Sequence, residues 1–258
     1  MIPKIIHYTW FSGEPYPQNI QRCIDSWKIH LPGYELRLWD MDAIKDIDSK
    51  FLWEALSERK WAYAADFVRL YAIYHEGGIY LDTDVLVYKS FNQLLDCKAF
   101  IGKENSIHFE GGLSAQYLSS HCFGAEKGHP FIKKCLDYFD GRHFITSHHT
   151  ELPQPLKYNL VLLPYIQAEI ARQYGYTWSP KKQKLQNCVS GLLIYPSSTF
   201  DPQEVSDESY CKHLALGSWR NEKLPEPTYN LRYKIEWRII VFLSKILRKA
   251  GYITIKID

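Results

Sequence analysis

Two carboxylates, Asp82 and Asp84, stand two residues apart in an otherwise apolar stretch, IYLDTDVLVY, at residues 79–88. Read as one continuous strand, this spacing puts both side chains on the same face, about 6–7 Å apart at Cα. Two acids aimed at one place repel each other unless a cation sits beside them. Hard divalent ions such as Mg²⁺ and Mn²⁺ take carboxylate oxygen and commonly share a substrate's phosphates. The bland alternative is a solvated pair on an exposed strand edge. The apolar neighbours Ile79, Leu81, Val85 and Leu86 argue for burial instead, where an acid without a partner is costly.

The same triplet also occurs in phosphatases that use an aspartate nucleophile in D-x-D-G-T. Here Val85-Leu86 follows where that turn needs Gly-Thr, and the strand is expected to run on. Upstream, Asp66 and Arg69 are spaced i, i+3 on a predicted helix and share a face. They read either as an intrahelical ion pair or as an acid and a base offered together to ribose and sugar hydroxyls.

The elements that must position these residues follow from periodicity. Residues 2–10 read as a buried strand, 17–30 as a helix and 34–39 as a second strand, so the chain opens as a parallel α/β unit. Residues 49–76 are predicted helical in two pieces, the second over 61–75, with Gly77-Gly78 as the stop. Further strands are expected over 79–88, 100–103 and 191–195, and helices over 129–139 and 160–174. Residues 141–157, with three His and two Pro, read as a loop, and 196–227 as irregular chain.

The chain has 258 residues with 46% hydrophobic and 23% charged, the balance of one globular domain. A net charge of +2 gives no field for nucleic acid, and no nucleic-acid partner is expected. The six Cys form no C-x-x-C pair, and the first residues, MIPKIIHYTW, lack a basic-then-apolar leader pattern. Reduced thiols in a cytosolic setting are the expectation. Aromatics reach 15%, with 19 Tyr and 8 Trp, a composition suited to sugars and bases but equally to a plain core.

Three blocks carry a family resemblance. AADFVRLYAIYHEGGIYLDTDV (residues 64–85) resembles the signature of glycosyltransferase family 32, the D-x-D sugar-binding group related to the glucosylating domains of clostridial toxins. IPKIIHYTWF (residues 2–11) resembles that family's opening strand, and HLALGSW (residues 213–219) its late His…Ser-Trp element. The resemblance implies an α/β protein of GT-A fold, with a Rossmann-like nucleotide-binding domain around a mixed central sheet. It further implies transfer with retention of configuration, a Mn²⁺ or Mg²⁺ cofactor and a nucleotide-sugar co-substrate, UDP-hexose favoured. Asp84 would be the direct metal ligand, Asp82 would contact both the metal and the sugar nucleotide, and His213 is a candidate third ligand. Asp66 and Arg69 would bind ribose and the transferred sugar. Trp10 would stack on the base, or pack in the core. Tyr80 would line the pocket, or likewise pack. Ser218 and Trp219 would donate to the β-phosphate.

The tail, LRYKIEWRIIVFLSKILRKA at residues 231–250, places Ile235, Ile239, Phe242 and Ile246 on one helical face amid six basic residues. It reads as an amphipathic interfacial helix, or as a helix docked on the core. The expected division is a GT-A domain over 1–228 and a basic tail over 229–258, the enzyme being peripheral on the inner face of the cell membrane. The expected function is transfer of galactose or glucose to a saccharide acceptor, free or lipid-linked, in capsular or other surface polysaccharide assembly. The competing expectations are a non-catalytic nucleotide-sugar or membrane-binding module of the same fold, and a metal-dependent phosphohydrolase.

Overall fold

A computed structural model of the chain describes residues 1–110, 113–148, 154–177 and 183–217. The tail at 229–258, Ser218, Trp219 and Gly111-Gly112 therefore lie outside the described residues.

The chain opens as its periodicity predicts: β1 (Ile5–Thr9), α1 (Gln18–His30), β2 (Glu35–Trp39), α2 (Lys50–Ser57) and α3 (Trp61–Glu76). Ser49 caps α2, its hydroxyl accepting from the Leu52 amide. Gly77, at φ 72°, stops α3, and Gly78 follows at φ 109° as β3 (Gly78–Leu81) begins. A Cβ on Gly78 would lie 2.8 Å from the Ile5 carbonyl oxygen and 3.0 Å from His7 Nε2, so the close helix-to-strand passage requires glycine twice over.

The remaining elements are β4 (Val85–Val87), β5 (Ala99–Glu110), β6 (Leu113–Ala125), α4 (Pro130–Asp137), α5 (Gln154–Lys157), α6 (Leu163–Gln173), β7 (Gln186–Asn187), β8 (Leu192–Tyr195), α7 (Ser197–Phe200) and β9 (Cys211–His213). Seven strands form one sheet in the order β2-β1-β3-β6-β5-β8-β7. The β1–β2, β1–β3 and β5–β8 pairs are parallel and the other pairs antiparallel, so the sheet is mixed as expected. Helices cover both faces. Ile6, Tyr8, Ile79 and Leu81 join Ile20, Ile24 and Trp27 of α1 in one core. Tyr80, Leu118 and Phe123 join Val68 and Ile73 of α3 and Ile166 of α6 in the other.

Two expectations are corrected. The predicted strand over 79–88 is not continuous. β3 stops at Leu81, the chain turns with the Val85 amide donating to the Asp82 carbonyl at 3.0 Å, and β4 enters a separate two-stranded sheet with β9. The alternation misled because Val85 and Val87 are buried like Ile79 and Leu81, but in another sheet. The second correction concerns 100–103, which is the start of a strand running to Glu110 and pairing with β6, an element that periodicity did not predict. Its small polar residues, Ser119, Ser120 and His121, disguised a strand buried by neighbours on both sides. Within the expected loop and irregular segments lie α5, α7 and β9, and an antiparallel bridge joins Ile145 to Tyr158.

Candidate active site

After β1 the chain crosses to β2 on one side, and it returns through α2 and α3 to β3 on the other side of β1. The direction of winding thus reverses between β1 and β3. Ligands of open α/β sheets bind at such a point, outside the carboxyl ends of the strands. Thr9 and Trp10 leave β1 here and Asp82 leaves β3. A cavity of about 330 Å³ opens between them, its lining including Trp10, Phe11 and Trp61, the acids Asp66, Asp82 and Asp84, and Arg69, Ser120, His121 and His213. That volume suits a small ligand.

Arg69 organises the acids. Only 4% of the residue is exposed, and each guanidinium nitrogen has a partner in the protein. Nε donates to the Ala65 carbonyl at 3.2 Å and Nη1 to the Ser120 carbonyl at 2.8 Å. Nη1 and Nη2 reach Asp82 Oδ2 and Oδ1 at 3.4 and 3.2 Å, and Nη2 also lies 3.2 Å from Asp66 Oδ1. Five N–H groups therefore meet five contacts. Arg69, expected with Asp82 as a catalytic residue and as a binder of ribose and sugar, lines the cavity, and its hydrogen bonds are spent on Ala65, Ser120, Asp66 and Asp82, the geometry of a residue that positions two carboxylates. Burial pushes the Asp66 carboxyl up to about 7, against the pull of Arg69 and with the repulsion of Asp82, while the Leu163 amide donates to it.

Tyr80 is fully buried in the core and is not among the residues lining the cavity, so of its two expected places the structure has the core and not the pocket wall. As the penultimate residue of β3 it faces the helical layer. The Arg69 guanidinium lies 4.6 Å over its ring, and its hydroxyl sits 3.1 Å from both Thr9 Oγ1 and Asp82 Oδ1. It supports Asp82 from behind. Trp10 meets both expectations in part: half-buried, it packs against the core that holds α1 and also lines the cavity, its indole N–H donating to the Glu14 carbonyl at 2.7 Å and its ring edge-on to Tyr16 at 5.1 Å.

His213 is brought to the acids by the small sheet, in which it pairs with Val85. Its Nε2 lies 3.1 Å from Asp84 Oδ1, while Asp84 Oδ2 accepts from the Leu216 amide at 3.0 Å. Burial raises the Asp84 carboxyl, but the His213 contact and, with it, the Leu216 amide hold the group below the ordinary carboxylate range. Burial likewise lowers His213, and Asp84 reverses this and raises it. Asp82, Asp84 and His213 each offer a ligand atom, all within 4.8 Å of one another. Two carboxylate oxygens and one imidazole nitrogen at that separation fit a divalent cation such as Mn²⁺ or Mg²⁺.

Sequence reasoning missed Ser120 and His121. They sit where the β5–β6 register jumps, Ile101 facing Phe123 but Lys103 facing Leu118. Such bulges re-aim side chains beside sites. The polar run Ser119-Ser120-His121 inside an apolar strand was the available signal.

Residues 17–101 match the family described as the glycosyltransferase sugar-binding region containing DXD motif. That span is similar to this family. It holds Asp66, Arg69, Asp82 and Asp84, whereas Trp10 and His213 lie on either side of it. Inositol phosphoceramide mannosyltransferase 3 of Schizosaccharomyces pombe is 33% identical over 138 residues, 51% of this chain and 35% of that protein. The human alpha-1,4-N-acetylglucosaminyltransferase is 31% identical over 130 residues, 48% of this chain and 34% of that protein. The matches thus span about a third of the length of these relatives. Among solved structures, PaToxG glycosyltransferase gives a TM-score of 0.43 at 20% identity, over 67% of this chain and 69% of that one.

Proposed function

We propose that this chain is a glycosyltransferase that moves a hexose from a nucleoside diphosphate sugar to a saccharide acceptor with retention of configuration, using a divalent cation, Mn²⁺ or Mg²⁺, held by Asp82, Asp84 and His213. The reading is carried by the meeting of these three side chains within 4.8 Å at the mouth of the β1–β3 switch point. A cation bound there would neutralise charge on the diphosphate as it leaves the sugar.

The other roles fall to the chain itself. Trp10 stacks on the base. Asp66 keeps acceptor capacity beyond its contacts with Arg69 and the Leu163 amide, and takes hydroxyl hydrogen bonds of the ribose or sugar. Arg69 and Tyr80 hold Asp82 in place. Ser218 and Trp219, which directly follow Gly217, donate to the β-phosphate; this assignment rests on sequence alone.

UDP-glucose and UDP-galactose are the donors favoured by the family resemblance. The names of the relatives add mannose and N-acetylglucosamine to the sugars to be tried. A lipid-linked acceptor, as in surface polysaccharide assembly at the inner membrane face, is supported by the yeast relative, whose name gives inositol phosphoceramide. No helix among the described residues is long and apolar enough to cross a membrane.

Because β3 ends at Leu81, strand continuation no longer argues against an aspartate-nucleophile phosphohydrolase. The contacts of Asp82 do. Both its oxygens face the Arg69 guanidinium and Oδ1 also faces the Tyr80 hydroxyl, contacts that lower the nucleophilicity of the carboxylate while leaving lone pairs for a cation.

The deciding experiment incubates the purified chain with Mn²⁺ and UDP-glucose, UDP-galactose, UDP-N-acetylglucosamine or GDP-mannose, with and without saccharide acceptors, and measures nucleotide release. Release with at least one donor is expected, falling on the order of 10²-fold or more in Asp84→Ala. Release with none of them would overturn the assignment.

A further inference from the structure

The candidate cation centre is assembled from parts that share no element. Asp82 directly follows β3, Asp84 directly precedes β4, and His213 ends β9. Imidazole ligands need an outer group to fix the ring, and carboxylate ligands a fixed backbone. His213 has Asp84 on its Nε2 edge. The face of its ring is held by another residue, His121 of β6.

The two imidazoles are stacked, centroids 4.6 Å apart and planes 16° from parallel. His121 is itself locked. Its Nε2 lies 3.1 Å from the Phe200 carbonyl, which can only accept, so this nitrogen carries the proton. Only 5% of the residue is exposed. Its backbone serves the other half of the centre, because the His121 carbonyl accepts the Asp82 amide at 2.9 Å. The register jump in β6 lets one residue turn its ring toward β9 while its carbonyl stays on β3.

We infer that His121 is a positioning residue for the cation centre, its ring fixing the plane of His213 and its carbonyl fixing Asp82, without itself binding the ion. This rests on the cation reading above. Its side-chain part predicts that a flat ring at position 121 is needed and a ring nitrogen is not.

The test uses the full chain with Mn²⁺ alone and needs no turnover. Mn²⁺ affinity is read by electron paramagnetic resonance of the free ion, and direct imidazole ligation by the ¹⁴N modulation of the bound ion. His121→Ala is expected to weaken Mn²⁺ binding about tenfold and to diminish the ¹⁴N signal, as loss of an outer-shell partner does. His121→Phe keeps a flat ring against His213 and is expected to stay within about threefold of the parent protein with its ¹⁴N signal intact. If His121→Ala does not fold, His121→Phe decides alone. The inference is overturned if His121→Ala binds Mn²⁺ as the parent does, or if a folded His121→Phe loses the ¹⁴N signal. A parent protein without any ¹⁴N-coupled Mn²⁺ overturns the cation reading itself, a different result from an unaffected variant.

Discussion

Arg69 and Asp82 face each other through a two-pronged contact, Nη2 to Oδ1 at 3.2 Å and Nη1 to Oδ2 at 3.4 Å. The pair joins the middle of α3 to the end of β3, and both partners are largely withdrawn from water, with side-chain exposures of 5% and 24%. Planar guanidinium matches carboxylate in a way an ammonium cannot. Arg69→Ala would leave Asp66 and Asp82 close together without their shared counter-charge. It is expected to lower the unfolding free energy by about 3 kcal/mol, measured by urea denaturation. Arg69→Lys should keep most of the stability yet cut kcat/KM on the order of 10²-fold, because one point charge cannot hold both acids in register.

Trp10 lines the same cavity as the acids. If it stacks on the donor's base, Trp10→Ala should raise the donor KM about tenfold or more, the loss of roughly 1–3 kcal/mol of stacking. Trp10→Phe should restore most of it. An unchanged donor KM in the alanine variant would remove Trp10 from the base site.

His7 provides a pH test of the fold. It is fully buried on β1, Nε2 donating to the Gly77 carbonyl at 2.8 Å and Nδ1 accepting from the Trp39 indole at 3.0 Å. Burial lowers its pKa to about 4 from an ordinary 6.5. Below pH 6.5 the unfolded chain takes up a proton that the folded chain refuses. Stability from this site is therefore complete above pH 6.5, falls as pH drops toward 4, and is flat below that. The full loss is about 3 kcal/mol. Denaturation curves between pH 7 and 4 should show the slope, and His7→Gln, though less stable at neutral pH, should show less of it.

The basic tail after Thr228 is tested by flotation. The full chain is expected to float with vesicles containing anionic lipid and to be released by high salt, and a chain ending at Thr228 to remain in the lower fraction. Equal flotation of the two would remove the anchor.

Much of this architecture was readable in the residues. The i, i+3, i+4 stripe of α1, the alternation of β2 and the Gly77-Gly78 stop gave the opening α/β unit nearly to the residue. Spacing put Asp66 with Arg69 on one helix face and Asp82 with Asp84 on one strand, and the family resemblance of residues 64–85 is what joined the two pairs into one expected site. What stayed hidden depends on partners remote in the chain. Nothing local distinguishes Val85 in a second sheet from Val85 in a continued strand; the difference is the presence of β9, which comes from residues 211–213. His121 escaped for the same reason, since a histidine in a polar run acquires meaning only when Asp82 and His213 are seen on either side of it.

The turn at residues 82–84 divides the acidic pair between two sheets that are otherwise separate in their hydrogen bonding. An ion gripped by Asp82 on one side and by Asp84 and His213 on the other would act as a rivet across that seam. Donor loading would then do more than fill a pocket. It would fasten β9 to the end of β3, so that filling the pocket also ties the small sheet to the large one.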